Sequence, residues 1–159
     1  MSDLETTVAS LARRVQALED ELAIHRVIVR YGLAVDTGDA ERSAAVFTPD
    51  AVYDVDVRLM EGRAAVADMV RGDHHQQMVG RCAHQIGPAV VQLDGDRAVA
   101  LGYSRVYLRS ADGIAVYRVS LNRWELERRD GGWLIARRRT RLLGHAEAKA
   151  IFADGLAEI

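Results

Sequence analysis

The chain has 159 residues, 49% of them apolar and 28% charged, with a net charge of −2. That length suits one domain with a real core, and so small a charge gives no reason to expect nucleic acid or an anionic membrane as partner. No apolar run approaches the roughly 20 residues of a membrane span, the acidic, amphipathic N-terminus is unlike a secretory signal, and the lone Cys82 excludes an internal disulfide and fits a reducing cytoplasm.

Leu4, Val8, Leu11, Val15, Leu18 and Leu22 alternate spacings of four and three, an a/d heptad seam. Arg13, Arg14, Glu19, Asp20 and Glu21 flank it. Two readings stay open: an amphipathic helix lying on its own domain, or a helix for self-association into dimers or trimers. After Leu22 the stripe changes phase to Ile24, Val27, Ile28 and Tyr31, a wider stripe that suits a core helix. A long helix, or a helix with a bend, is expected from about residue 3 to Val35. Residues 1–22 would be an extension and residues 23–159 the main domain.

Thr37-Gly38-Asp39 is turn chemistry, and Asp39 suits the cap of a short helix from Ala40 to Phe47. Thr48-Pro49-Asp50 should end that helix. Residues 51–59 alternate as a strand, and Arg63 to Val70 form a short helix with Ala64, Val66, Ala67 and Val70 inward. Residues 72–77 are polar and suit a loop or helix end. A strand-like stretch from Val79 breaks at Gly87-Pro88, and residues 89–93 form the next strand. Asp94-Gly95-Asp96, Ala111-Asp112-Gly113 and Asp130-Gly131-Gly132 are turn signals. They separate long strands at 97–109, 114–129 and 133–143. A helical tail follows from Ala146 to Ile159, carrying Ile151, Phe152 and Leu156. Helices first, then a run of hairpins, implies an α+β domain with helices on one face of a strongly curved sheet.

Asp36 closes the apolar run Leu33-Ala34-Val35, so its carboxylate either caps something or does chemistry. No Gly-rich phosphate loop, zinc-type cysteine set or nucleophile-elbow serine is present. His74 and His75 are adjacent, so their side chains diverge and make poor co-ligands. His84 lies mid-segment before the Gly-Pro break. Taken alone it suits a core or surface histidine. Paired with Asp36 in one cavity, it would be a base whose tautomer the carboxylate fixes.

Several short motifs occur in order. They are Asp36-Thr37-Gly38-Asp39 after Tyr31, Phe47-Thr48-Pro49-Asp50-Ala51, Arg81-Cys82-Ala83-His84-Gln85-Ile86-Gly87 and Leu93-Asp94-Gly95-Asp96. Gly102-Tyr103, Ser120-Leu121-Asn122, Arg129-Asp130-Gly131-Gly132-Trp133 and Ile151-Phe152-Ala153-Asp154-Gly155 continue the series. In these the chain resembles the scytalone dehydratase and SnoaL-like branch of the nuclear transport factor two-like superfamily, over residues 24–159. The resemblance implies a cone: a curved antiparallel or mixed sheet wrapped by N-terminal helices around a deep pocket. It implies a cofactor-independent lyase of the dehydratase type, or an isomerase, acting on a small, largely apolar cyclic substrate. Asp36 and His84 match the Asp–His dyad that abstracts the proton. Tyr31 matches a pocket tyrosine, and Tyr53 loosely another. Ser120 and Asn122 match a polar substrate-binding pair, and their spacing puts them on one strand face with Trp124.

The chain also departs from scytalone dehydratase. Val35 stands where that enzyme has a tyrosine, and its second histidine falls near Arg109 or Ser110. In the run Arg137 to Arg141, alternation puts Arg137, Arg139 and Arg141 on one face and Arg138 and Thr140 on the other. Surface or subunit contacts are expected for most of them, with Arg141 the one to reach the pocket. Tyr103, Tyr107 and Tyr117 suit core or pocket wall, and Cys82 a small buried hydrophobe. No metal and no cofactor is expected. The partners expected are a small-molecule substrate and further copies of the chain. Two alternatives remain on the same fold: a non-catalytic small-molecule binding or assembly module, and the small subunit of a ring-hydroxylating dioxygenase.

Overall fold

A computed structural model describes residues 3–56 and 58–156, with the side chains of residues 154–156 left out of the description. Val57 and residues 1, 2 and 157–159 lie outside it, including the end of the expected C-terminal helix. The chain opens with one unbroken helix, α1 (Asp3–Asp36), about 50 Å long at 1.5 Å per residue. Ile24, Val27, Ile28, Tyr31 and Val35 form its buried stripe. The expected domain edge at residue 22 therefore falls inside a continuous helix. Asp20 is the first buried position. Its carboxylate accepts hydrogen bonds from Arg128 Nη2 at 2.8 Å and Trp133 Nε1 at 3.1 Å, which tie α1 to the last hairpin. Before Asp20 the helix runs clear of the domain.

Gly38 stops α1 with a positive φ of 69°. Its N–H bonds the Val35 carbonyl at 3.1 Å, a helix-closing contact. Asp39 then caps α2 (Ala40–Ala45), accepting from the Arg42 N–H at 2.9 Å. That helix is shorter than expected. Phe47 belongs to β1 (Phe47–Val55), which takes in Thr48-Pro49-Asp50 as well. Proline is tolerated there because the pairing register shifts between Phe47 and Val52, so Pro49 needs no ladder donor. The expected single strand over 51–59 is a tight hairpin. Asp56 turns with a φ of 48° and β2 (Arg58–Glu61) folds back on β1.

Next come α3 (Arg63–Arg71) and α4 (Asp73–Gln76). Val66, Ala67 and Val70 of α3 are buried, whereas Ala64 is exposed. Four long strands complete the sheet: β3 (Cys82–Asp94), β4 (Arg97–Ser110), β5 (Gly113–Arg129) and β6 (Gly132–Leu142). The Gly87-Pro88 break bulges β3 without ending it. Gly102 opposite makes room: a Cβ there would sit 2.8 Å from the Pro88 carbonyl oxygen. Asp130 and Gly131, both with positive φ, close the last hairpin.

The sheet order is β2-β1-β6-β5-β4-β3. The β1–β6 pair is parallel and the others antiparallel, so the sheet is mixed, curved and unclosed. Helix α5 (Ala148–Leu156) packs on the other side, Ile151 buried against Leu121. The main core lies between α1–α3 and the inner sheet face, where Trp124, Leu126, Trp133 and Ile135 meet Ile24, Ile28 and Phe47. No described helix is long and apolar enough to cross a membrane.

Candidate active site

Asp36 is the last residue of α1. The negative end of the helix dipole disfavours a carboxylate there, so it needs a partner. Strand β3 supplies one. His84 Nδ1–H donates to Asp36 Oδ1 at 2.6 Å, and the His84 backbone N–H donates to Oδ2 at 2.7 Å. The Cys82 thiol also donates to Oδ1, at 3.4 Å. Burial raises the Asp36 carboxyl, but the His84 hydrogen bonds and charge outweigh it and hold it below the usual carboxylate range. Burial and the Asp36 carboxylate push the Cys82 thiol up to about 11. Cys82 is thus a polar neighbour of the dyad rather than a plain hydrophobe.

Close contact between α1 and β3 makes this meeting possible. A Cβ on Gly32 would lie 3.0 Å from the His84 carbonyl oxygen and 3.2 Å from Ile86 Cδ1. His75 braces the same helix end. It is buried in α4, and its Nε2–H donates to the Val35 carbonyl at 2.7 Å, a second hydrogen bond on the oxygen that also accepts the Gly38 N–H.

A cavity of about 410 Å³ opens beside the dyad, between the inner sheet face and α1, α3 and α4. His84, Tyr31 and Tyr53 line it, together with Val35, Val55, Met60, Val106 and Tyr117. With Nδ1 engaged by Asp36, the lone pair of His84 sits on Nε2. Tyr31, Phe47 and Tyr53 form a ring cluster with centroids 5.5 to 6.2 Å apart. Burial pushes the Tyr31 hydroxyl well above its usual range, with Tyr53 adding and Arg138 opposing, so it stays a neutral donor.

Arg138, grouped by its sequence with arginines expected at surface or subunit contacts, is buried instead. It is 3% exposed, and its guanidinium lies 4.8 Å from the ring centroids of both Tyr31 and Tyr53 and 5.5 Å from that of Trp124. Its Nε and Nη2 donate to Asn122 Oδ1 at 3.1 and 2.8 Å. Nη1 is buried with no hydrogen-bond partner among the described residues. A buried cation held by rings and an amide, rather than by a carboxylate, leaves positive potential beside the cavity. Alternation had separated Arg138 from Arg137, Arg139 and Arg141. It could not tell which face is inside.

Asn122 also accepts from Thr140 Oγ1 at 2.8 Å and donates to Ser104 Oγ at 2.9 Å. It is fully buried and holds Arg138 rather than bordering the cavity. Ser120 and Trp124 share its face and are equally buried. Ser120, Asn122 and Trp124 are all absent from the lining. Arg141 does not reach it either. Its Nη1 and Nη2 grip Asp54 at 2.8 and 2.9 Å, and its Nε binds Glu147 at 2.8 Å, on the sheet face opposite Tyr53 and Val55. These carboxylates satisfy the cation there, and they raise its already high basicity.

Asp36, Cys82 and His84 present ligand atoms within 4.8 Å of one another, a spacing a metal ion could use. Binding one would require the dyad hydrogen bond to open and a thiol held near 11 to ionise. The donor set fits proton transfer better. A larger hollow of about 530 Å³ lies on the outer sheet face, lined by Arg97, Arg123, Glu125 and Glu127. Its Arg123 and Glu125 pair at 3.1 Å, and it lacks a base poised like His84.

Among solved structures, the chain is similar to an NTF2-like protein with a cystatin-like fold from Novosphingobium aromaticivorans. The identity is 38%, over 90% of this chain and 95% of that one, with a TM-score of 0.86. It is 26% identical to a Mycobacterium tuberculosis protein of unknown function, over 99% of this chain and 92% of that one, with a TM-score of 0.71. A Catenulispora acidiphila protein, solved in complex with S-DNPA, is 26% identical over 84% and 98%, with a TM-score of 0.69. A search of curated proteins found no match. With the SnoaL-like domain matching residues 16–139, and with a curved mixed sheet and N-terminal helices shared with its NTF2-like neighbours, the chain belongs to the SnoaL-like family of the NTF2-like superfamily.

Proposed function

We propose that the protein is a cofactor-independent enzyme that abstracts a proton next to a carbonyl, either to eliminate water or to move a double bond. The observation that carries this reading is the 2.6 Å contact between His84 Nδ1 and Asp36 Oδ1, with His84 on the wall of the cavity. His84 Nε2 takes the proton and Asp36 stabilises the imidazolium. The electron pair of the broken C–H bond moves onto the carbonyl oxygen as an enolate. The Tyr31 and Tyr53 hydroxyls are the donors at hand for that oxygen, and Arg138 behind them favours the negative charge. In dehydration the enolate expels the β-hydroxyl, which leaves as water on receiving the proton from the imidazolium. In isomerisation the same proton returns to a different carbon. The cavity of about 410 Å³ is of a size for a small cyclic substrate, and its lining mixes apolar and aromatic side chains with Arg58, Asp68, Asp73, His74 and Arg118, which can bind polar substituents. The SnoaL-like family includes polyketide cyclases and isomerases or hydratases, consistent with carbon-acid chemistry.

Deuterium exchange tests the first step without knowledge of the natural substrate. Cyclic ketones and β-hydroxyketones would be incubated with the protein in heavy water and followed by proton NMR. The intact protein is expected to exchange the α-proton, and His84→Gln to slow exchange by about 10²- to 10⁴-fold. Ligands that bind tightly yet never exchange would replace this reading with the non-catalytic binding module.

A further inference from the structure

The α1 seam is exposed along its whole length. Leu4, Val8, Leu11, Val15, Leu18 and Leu22 are 50% to 72% exposed, and Val29 and Leu33 continue the exposed row. Residues 3–19 extend roughly 25 Å past the Asp20 anchor at 1.5 Å per residue. An isolated helix of that length is marginal in water, and a contiguous apolar row invites a partner. The seam therefore does not lie on its own domain.

We propose that α1 pairs with the same helix of a second copy of this chain, as a parallel, in-register, two-stranded coiled coil through residues 4–26. Three features identify the occupant. The first is the layer chemistry. The spacing puts Val8, Val15 and Leu22 at a and Leu4, Leu11 and Leu18 at d. Valine at two of the three a positions, with leucine at every d, favours two parallel strands. The second is charge. Arg14 and Glu21 fall at g, and Glu19 and Arg26 at e. In a parallel pair, g of one helix faces e of the next heptad on the other. Arg14 then meets the partner's Glu19, and Glu21 meets the partner's Arg26, each twice by symmetry.

The third feature is orientation on the domain. Asp20 falls at f, the position farthest from the seam, and is the residue that ties α1 to Arg128 and Trp133. The seam therefore faces away from the domain, and two domains can sit on the outside of the pair without collision. The buried stripe Ile24, Val27, Ile28 and Tyr31 is left to the core. This inference is independent of the proposed chemistry, because none of the seam residues lines the dyad cavity.

The test uses the full chain. Light scattering on a sizing column would compare the parent with the double variant Leu11→Lys, Leu18→Lys. Both leucines stand outside the described core, so circular dichroism should report a folded domain in either case. The parent mass is expected to be twice that of the variant, and equal masses would overturn the proposal. Val8→Cys reads the orientation, with the parent carrying Cys82 alone as control. In a parallel in-register pair the two introduced thiols lie side by side and form an intermolecular disulfide under mild oxidation. A chain that stays un-crosslinked while its mass remains doubled would overturn the parallel register. Arg14→Glu and Glu19→Arg alone should each weaken association about two- to five-fold. Combined, they should restore it, and failure of that rescue would remove the charge pairing.

Discussion

The two halves of α1 share one periodicity and meet opposite fates. In residues 20–36 the apolar stripe is buried against the sheet, ending at Tyr31, Val35 and the dyad aspartate. In residues 3–19 the apolar seam faces water. Nothing in local helix propensity separates them. What separates them is a phase change after Leu22 and the buried contacts of Asp20 with Arg128 and Trp133. One half is organised around the core and the Asp36–His84 contact, the other around an exposed surface. Substitutions in the first should alter turnover and stability together, and substitutions in the second should alter association alone.

The largest expected effect falls at the end of the buried half. His84→Gln and, separately, Asp36→Asn should each lower the rate of α-proton exchange by about 10²- to 10⁴-fold. Retention of the parent rate in either variant would break the dyad assignment. Next in size is Arg138→Met, which replaces the buried cation under Tyr31 with an apolar chain of similar length. Replacing a buried charge in this way is often near neutral for stability. Exchange should fall on the order of 10²-fold while the denaturation midpoint stays close to that of the parent. A purely structural role for Arg138 would reverse those two outcomes.

Gly32→Ala sharpens the comparison within the helix itself. Its Cβ would meet the His84 carbonyl oxygen at 3.0 Å, so β3 must move. A loss of about 1–3 kcal/mol in urea unfolding is expected, with exchange reduced as well, because the displaced backbone carries His84. Acid provides a smaller, graded effect. The Asp36 carboxyl titrates below its unfolded value of about 3.9. Its stabilising contribution is therefore present above about pH 4 and is lost as pH falls through the lower, folded value. Asp36→Asn should flatten that part of the stability–pH curve, and an unaltered acid limb would show that the contacts of Asp36 contribute little to folding. The smallest effect belongs to the projecting half. Leu11→Lys with Leu18→Lys should shift domain stability, measured at protein dilutions where the chains are dissociated, by less than about 0.5 kcal/mol. A larger loss there would mean that the seam supports the domain after all.

Much of this architecture was legible in the residues because it is local. The Asp39 cap, the three hairpin turns and the heptad spacing each rest on the chemistry of a few neighbours, and the structure reproduces the cap and the turns. Local signals misled where tertiary pairing overrode them. Phe47-Thr48-Pro49 reads as a helix end, yet a register shift lets β1 absorb the proline. Residues 51–59 alternate as one strand, yet Asp56 reverses the chain. The arginines of β6 are the clearest case. Alternation puts Arg138 and Arg141 on opposite faces without saying which face is inside, and the expectation that Arg141 reaches the pocket is reversed: the fold pairs Arg141 with Asp54 and Glu147 and packs Arg138 among aromatic rings.

The amino-acid order alone determined the helical period of α1, its change of phase, the turns that space the strands, and the availability of one aspartate and one histidine suited to pair. Those properties depend on neighbours within a few residues. Only the tertiary structure decided that Asp36 and His84 lie 2.6 Å apart, that Gly32 lets β3 approach closely enough for it, and which arginine faces inward. Those outcomes depend on sheet curvature and on contacts between residues far apart in the chain, which no local pattern encodes.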